Sequence, residues 1–501
     1  MPEISPTLTS RLDAFAEASL GLSVTTLMER AGRAVASAVM RHIPKGGRVL
    51  IFCGGGNNGG DGYAAALLLR GDGYAALAVD ALGAGQRTEA GQHFLTEYRR
   101  TVGEPLTLAE AETTEADCTV DALLGTGARL PLSPELSAVG EVMRSKRCPR
   151  IAVDLPLGVD AEAGRLDPAA VFADETVSLG FVKHGLCSYP ARAAVGRISV
   201  DDLGLDCPEV RKRFPIPDRV LTAAAIADLL PARGANTHKG SYGHLLLLAG
   251  SDRYRGAALL AAAAALRMGA GLVTLASTEA VLAAALPTLP EVICHGLDTE
   301  DEEILTLAEK KSAILIGPGS TLCPATLGRV RTLLATEGAP LILDADALGV
   351  LAGQGKEGLA ALRSSKRKVV LTPHPGELAR LLGLSIDEVQ SNRLELARRF
   401  AAEHPVTLIL KGAATVIAEG EEFYINPTGG PALAKGGSGD VLAGAVASLI
   451  AAGLAPSAAA RIAVFAHGAA GDRLAKHRSA WGVRPADLPL AMAEVLAEVS
   501  R

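Results

Sequence analysis

The 501-residue chain lacks the marks of several large protein classes. It has no excess of positive charge: 49 Lys and Arg stand against 55 Asp and Glu, a formal net charge of −6. Proteins that grip nucleic acid or an acidic membrane surface carry a basic footprint, and none is present. The seven cysteines (Cys53, Cys118, Cys148, Cys187, Cys207, Cys294 and Cys323) include no C-x-x-C pair and no metal-type spacing. An odd, unpatterned set argues against a disulfide framework and fits a reducing compartment, with cysteine used as a small apolar residue. The longest apolar run, Ala257 to Leu266, falls well short of the ~20 residues needed to span a bilayer. The opening MPEISPTLTSRLDAF lacks the basic start and apolar core of a secretory signal, so a soluble cytoplasmic protein is expected. No Gly-x-x-x-x-Gly-Lys-Ser/Thr word occurs, which excludes a P-loop.

What is present is an alternation of short apolar β-type runs with Ala/Leu-rich helical stretches, the pattern of parallel sheets covered by helices. Candidate strands in the first half are 48–53, 75–82, 118–123 and 150–154. In the second half they are 244–249, 271–276, 313–316, 340–344, 368–372 and 406–411. The length calls for two or three domains. The charged stretch 209–219, with its two prolines, reads as a linker. Two α/β domains are therefore expected, 1–216 and 217–501, each a three-layer αβα sandwich.

The most informative stretch is Gly430-Pro-Ala-Leu-Ala-Lys-Gly-Gly-Ser-Gly-Asp440-Val-Leu-Ala-Gly444. A glycine-dense turn runs into an apolar helical segment and sets one carboxylate, Asp440, at the helix start. Glycines let backbone N–H groups converge on an anion, and the positive end of the helix dipole adds to that field. An aspartate would repel a resident phosphate, so it points instead to a base facing a substrate hydroxyl, beside amides that steady a phosphoryl group in transfer. The plain alternative is a helix capped by Gly, Ser and Asp. Further turns in this half carry comparable groups: the Arg255-Gly-Ala257-Ala258 helix start, Gly317-Pro-Gly319, Thr372-Pro-His374-Pro-Gly-Glu377 and Lys411-Gly412-Ala413-Ala414-Thr415. Each also has a structural reading: His374 as a turn histidine, Glu377 as a first-turn acid, Asp344 and Asp346 as caps, Lys411 as a solvated strand end.

In the first half, strand 49–53 leads into Gly54-Gly-Gly-Asn57-Asn58-Gly59-Gly60-Asp61-Gly62 and then a helix. Gly54, Gly56 and Gly59 satisfy G-x-G-x-x-G, and Asp80 ends the next strand where a ribose-binding acid would sit, which allows a dinucleotide-binding reading. That reading leaves Asn57, Asn58 and Asp61 unexplained. Their oxygens suit ribose hydroxyls or a hard cation, and Asp61 would oppose a pyrophosphate on the helix N-terminus. Two later strands supply Asp121 and Asp154, for which a buried hydrogen-bonded acid and a cap are the structural readings.

Asn57-Asn-Gly-Gly-Asp-Gly62, Val120-Asp-Ala-Leu-Leu-Gly-Thr-Gly127, Val153-Asp-Leu-Pro-Leu-Gly-Val-Asp160 and Leu27-Met-Glu-Arg-Ala-Gly32 resemble the NAD(P)H-hydrate epimerase family across the first domain. The resemblance implies a Rossmann-like fold that binds a hydrated nicotinamide dinucleotide through Asn57, Asn58, Gly59, Gly60 and Asp61. Gly125, Thr126, Gly127, Ala128, Arg129, Leu130, Pro131 and Asp154 complete that implied set. It further implies a potassium ion (K+) held partly by Asn58 and Asp121. Members commonly read Asp-x-Pro-Ser-Gly where this chain has Asp154-Leu-Pro-Leu157-Gly158, so ligation at Leu157 would fall to a backbone carbonyl.

The second domain, on Leu343-Asp-Ala-Asp-Ala347, Pro373-His-Pro-Gly-Glu377 and Gly436-Gly-Ser-Gly-Asp440, resembles the ribokinase-like superfamily and its ADP/ATP-dependent NAD(P)H-hydrate dehydratase branch. By resemblance, Ala257 or Ala258, Gly319, His374 and Asp440 contact the hydrate, while Lys411, Gly412, Ala413, Ala414, Thr415 and Gly439 hold the nucleotide. The implied reaction phosphorylates the ring hydroxyl so that phosphate can leave, with Asp440 as base and magnesium (Mg2+) on the donor phosphates. ADP, which would leave as AMP, is favoured by the fused arrangement over ATP. Asp154 is the candidate acid–base group for interconverting epimers of hydrated NADH and NADPH, and a homo-oligomer is expected. The competing readings are a small-molecule kinase with a regulatory N-terminal half, an NAD-dependent dehydrogenase using Gly54, Gly56, Gly59 and Asp80, and a non-catalytic nucleotide sensor.

Overall fold

The computed structural model describes residues 3–81, 87–214, 216, 219–297 and 301–500. By contact, the chain divides into two units, Met1–Arg219 and Val220–Arg501. Pro217, where the sequence sets the boundary, and Leu82, at the end of a candidate strand, lie outside the described residues. The segment read as a linker holds a short helix, Pro208–Arg213.

The first unit is built on six strands: β1 (Arg48–Cys53), β2 (Ala75–Asp80), β3 (Cys118–Ala122), β4 (Arg150–Val153), β5 (Glu175–Leu179) and β6 (Arg197–Asp201). They run parallel in the order β2-β1-β3-β4-β5-β6. Alternate residues of β1 feed opposite faces, as the pleat requires. Val49 and Ile51 pack with helices α1 (Val24–His42) and α2 (Asn57–Gly71), while Leu50 and Phe52 pack with Met143 and Leu157. Burial on both sides is why β1 reads as an unbroken apolar run. Strands β5 and β6 escaped the sequence reading: charged and polar residues interrupt β6, and Glu175, Thr176 and Ser178 interrupt β5. All three are buried but bonded: Glu175 accepts from Arg41, Thr176 donates to the Val195 carbonyl, and Ser178 to that of Phe181. Glu3–Ile4 also pairs in parallel with Val182–Lys183.

The second unit carries nine strands: β7 (His244–Leu248), β8 (Leu272–Ser277), β9 (Ile293–Gly296), β10 (Ala313–Ile316), β11 (Leu341–Leu343), β12 (Val369–Leu371), β13 (Val406–Leu410), β14 (Val416–Glu419) and β15 (Glu422–Ile425). Their order is β9-β8-β7-β10-β11-β12-β13-β14-β15, parallel except for the antiparallel β14 and β15. Strands β9, β14 and β15 were not anticipated; β9 is a partly exposed edge and the hairpin is interrupted by glutamates. Three helices position the site: α3 (Arg255–Arg267), α4 (Pro375–Leu382) and α5 (Ser438–Ala451). Buried Ala258, Ala261, Ala262 and Ala265 of α3 share a core with Val441, Ala445, Val446 and Leu449 of α5, so the alanine bias serves close helix packing.

Each sheet reverses its strand order once, between β1 and β3 in the first unit and between β7 and β10 in the second. Open α/β sheets bind ligands outside the carboxyl ends of the strands at such points. Most of the site residues singled out in the sequence follow those ends. No helix among the described residues is long and apolar enough to cross a membrane, and all seven cysteines are free thiols.

Candidate active sites

In the first unit, β1 ends in a glycine turn that passes directly into α2. Glycine is required here by close approach: a Cβ on Gly54 would lie 2.0 Å from the Leu123 carbonyl oxygen, and one on Gly59 would lie 1.9 Å from that of Gly54. Two of the glycines of the G-x-G-x-x-G pattern thus pack backbone on backbone. Asp80, the ribose acid of the dinucleotide reading, is paired with Arg87 at 2.6 Å. Asn58 pins the start of α2 across the strand ends, donating through Nδ2 to the carbonyls of Leu124 (2.8 Å) and Val153 (3.1 Å).

A cleft of about 200 Å³ opens above these strand ends. Of the residues expected to bind the hydrated dinucleotide, Asn57, Asn58, Asp61, Gly125, Thr126 and Asp154 line it. Gly59, Gly60, Gly127, Ala128, Arg129, Leu130 and Pro131 are not part of that lining. Among the lining residues that the sequence did not single out are two charged ones, Asp13 and Lys183. Asp154 stands at φ +65, a left-handed conformation uncommon for a residue with a side chain. Its Oδ1 accepts from the Leu179 N–H (3.2 Å) and forms an ion pair with the Lys183 ammonium. Lys183, whose side chain is 1% exposed, also donates to the Leu179 carbonyl at 2.8 Å. Asp61 is buried, with no described hydrogen bond or ion pair. Burial pushes its carboxyl well above the ordinary range, reinforced by the charges of Asp154 and Asp13 and opposed by Lys183. Burial likewise raises Asp13, against the pull of Lys183.

The potassium set fits poorly. Both oxygens of fully buried Asp121 are already engaged, Oδ2 by the Leu157 N–H (2.6 Å) and Oδ1 by that of Leu123 (3.2 Å). Burial raises Asp121 to about 6 against those two bonds. The Leu157 side chain is packed in the core, and its carbonyl accepts from the Val171 N–H at 2.9 Å. The Asn58 amide nitrogen faces two carbonyls, which leaves its Oδ1, with no described partner, as the one side-chain oxygen of the set that is not already hydrogen-bonded.

In the second unit, the turns after β7 and β10 meet. A Cβ on Gly319 (φ +64) would fall 2.8 Å from the Tyr254 carbonyl oxygen and 2.9 Å from Ala257 Cβ. Ala257 therefore faces Gly319, whereas Ala258 is fully buried in the core. Past β11, buried Asp344 accepts through Oδ1 from Thr372 Oγ1 (2.6 Å) and from Lys411 Nζ (2.7 Å). Asp346 accepts the Thr321 N–H at 2.9 Å. Past β12, His374 and Glu377 cap α4: Glu377 Oε2 accepts the His374 N–H (2.7 Å), and His374 Nδ1 accepts that of Gly376 (3.0 Å). The His374 ring still remains half exposed, its basicity lowered by burial with Glu377 opposing. Glu377 Oε2 lies 3.9 Å from Lys411 Nζ.

Lys411 follows β13 and opens the loop of exposed Gly412 and Ala413, Ala414 at φ +50, and Thr415, whose hydroxyl donates to the Gly412 carbonyl at 2.9 Å. A Cβ on Gly439 would meet Lys411 Nζ at 3.3 Å, so this loop and the start of α5 share one corner. Asp440 is the third residue of α5, after the N-cap Gly437 at φ +99. Its carboxylate is half-buried, with no described hydrogen bond or ion pair. Burial raises it to about 7, helped by the charge of Asp344 and opposed by Lys411. Behind it, buried His467 is pushed down to about 4 and donates through Nε2 to the Ser438 carbonyl at 3.0 Å. The sequence reading passed over His467, a lone histidine on the apolar face of an alanine-rich helix. An unpaired carboxylate that titrates near neutrality, beside helix-start amides and a lysine, is equipped to take a proton while a phosphoryl group is held.

A family profile described as NAD(P)H-hydrate dehydratase matches residues 245–493, and one described as YjeF-related protein N-terminus matches residues 24–185. The bifunctional NAD(P)H-hydrate repair enzyme of Moorella thermoacetica is 38% identical over 503 residues, covering 95% of this chain and 93% of its own length. That of Escherichia coli K12 is 34% identical, covering 94% and 89%. The chain belongs to the bifunctional NAD(P)H-hydrate repair enzyme family. Among solved structures, the ADP/ATP-dependent NAD(P)H-hydrate dehydratase of Bacillus subtilis, co-crystallised with ATP and Mg2+, aligns with a TM-score of 0.51 and 36% identity, covering 56% of this chain and 98% of its own. A ribokinase-like superfamily protein of Enterococcus faecalis aligns at 0.50 with 28% identity, covering 56% and 96%. The repair-enzyme family thus joins a ribokinase-like unit to the N-terminal unit in one chain.

Proposed function

We propose that the chain repairs nicotinamide cofactors damaged by hydration. The first unit interconverts the two epimers of hydrated NADH or NADPH, and the second dehydrates one of them at the expense of ADP or ATP. The observation that carries this reading is Asp440, a half-buried carboxylate raised to about 7 at the start of α5, beside Gly439 and Lys411.

In the hydrate, a hydroxyl sits on a ring carbon next to the ring nitrogen, and hydroxide leaves poorly. Asp440 takes the hydroxyl proton, the oxygen attacks the terminal phosphorus of the nucleotide, and the nucleotide leaves one phosphate shorter. The N–H groups of the 436–439 loop and the start of α5 face the charge on the moving phosphoryl oxygens. The ring nitrogen lone pair then expels phosphate, a proton leaves the adjacent ring carbon, and the reduced ring is restored. Ala257 and Gly319 approach closely enough to form a floor for a flat ring, and Lys411 is within reach of donor phosphates. Among the described residues no group of three or more His, Cys, Asp or Glu could hold a metal. Mg2+ therefore fits this site as the counter-ion of the nucleotide phosphates, whose charge it would neutralise. Potassium has no part in the proposed chemistry. ADP is the proposed donor, and the free cysteines support a reducing, cytoplasmic setting.

Purified protein given hydrated NADH, Mg2+ and ADP, or ATP in a parallel arm, is expected to regain reduced-nicotinamide absorbance and release inorganic phosphate. No recovery with either nucleotide contradicts the proposal. A stable phosphorylated product would point to an ordinary kinase instead.

A further inference from the structure

Lys183 and Asp154 form a buried ion pair 29 residues apart in the chain, facing the cleft of the first unit. Burying a lysine is costly unless its charge is used, and this one is spent entirely on Asp154 and the Leu179 carbonyl. Asp154 is also held by the Leu179 N–H and by a left-handed backbone, so its carboxylate is fixed from three sides. Asp61 lines the same cleft and is equally buried, with no cation of its own. The charged groups that face this pair are Asp13 from the first helix, Pro6–Leu20, and Lys183 from the Val182–Lys183 ribbon. One ammonium thus serves three carboxyls, and it is bonded to only one.

We propose that Lys183 is a positioning residue of the first unit that divides labour between its two catalytic carboxyls: Asp154, clamped and charged, takes a proton, and Asp61 gives one. The inference rests on the epimerase reading above. Asp61 hands its proton to the leaving hydroxyl; the carbon–oxygen bond breaks with its electron pair on oxygen, and the ring nitrogen lone pair forms a C=N bond. A water returns to the opposite face of the ring carbon and loses its proton to Asp154. No water is gained or lost overall, and the proton passes back to Asp61 through solvent before the next turnover. Burial lifts the Asp61 carboxyl and so favours its protonated form, the form a proton donor uses.

The test follows interconversion of the two hydrate epimers, and dehydration in the same samples, for the full chain. Lys183→Met is expected to lower epimerisation kcat ~10²-fold, the low end for acid–base assistance, with KM within about threefold. Its alkaline limb should move to higher pH, because Lys183 no longer pulls down the Asp61 carboxyl. Lys183→Arg should recover part of the rate, and dehydration should keep its wild-type rate. In a double-mutant cycle, adding Lys183→Met to Asp154→Asn should cost nothing further, an outcome that simple misfolding would not give. An unmoved pH profile in Lys183→Met, or a full additional loss in the double variant, overturns the inference alone. A wild type that interconverts no epimers overturns the reading of the first unit and this inference with it.

Discussion

The two units hold the same three parts in different settings. Each sets a lysine–aspartate pair (Lys183–Asp154, Lys411–Asp344) beside an aspartate with no described hydrogen bond or ion pair, Asp61 or Asp440, near the carboxyl ends of parallel strands. What separates them is depth. Asp61 lies inside the buried first turns of α2 and is pushed well above the ordinary carboxyl range, whereas Asp440 sits half-buried in the first turn of α5 and reaches about 7. Desolvation is the leading cause in both cases, so in the proposed reactions a difference in burial is what separates a proton donor, Asp61, from a base, Asp440. The lysine-paired aspartates differ too: Asp154 faces the cleft, while Asp344 is tucked beneath Lys411 and Thr372.

The comparison breaks most sharply at Asp440. Asp440→Asn is expected to cut dehydration by ~10³-fold or more while leaving epimer interconversion intact, read by following both activities in one sample. An equal loss of both would mean that the two sites are not separable. Asp61→Asn is expected to lower only epimerisation, by ~10²-fold, and to remove the alkaline limb of its pH profile. The same depth argument predicts opposite behaviour in stability. A carboxyl raised in the folded state costs stability once pH rises past its unfolded value, so Asp440→Asn should melt higher than wild type at pH 8 and no higher near pH 3. Thermal scans at the two pH values decide it.

Asp344→Asn sharpens the account of the second site. Asp344 raises Asp440 directly and also occupies Lys411, which lowers it. Both consequences of its removal act in one direction, so the acid limb of dehydration should shift below 7. An upward shift would contradict the assigned electrostatics. The smallest effect is expected at the floor of the site: Gly319→Ala places a Cβ 2.8 Å from Tyr254 at positive φ, costing ~1–3 kcal/mol and raising KM for the hydrate before it lowers kcat.

How much of this could be read from sequence depended on range. The 436–440 word announces itself because glycines, a helix start and Asp440 are contiguous, and β1 through β4 are legible as short, mainly apolar runs, with Asp121 inside β3. The Asn57–Asp61 cluster was visible for the same reason. Lys183 and Asp13 were not, since their meaning arises only when the Val182–Lys183 ribbon and the first helix reach the cleft. Ala257 and Ala258 are indistinguishable as letters, and only the close approach of Gly319 separates the one facing the turn from the one in the core. Asp344 read as a cap, because nothing local reveals a lysine 67 residues away. His374 and Glu377, by contrast, do cap α4 as their spacing allows, and they also border Lys411.

The central claim is that the ionised form of Asp440 drives dehydration, and the pH dependence of dehydration kcat/KM tests it most directly. With saturating ADP and Mg2+, the wild type should lose activity on acidification through about 7, tenfold per pH unit below it. A profile flat from pH 8 to pH 5, or the same acid limb persisting in Asp440→Asn, would contradict it.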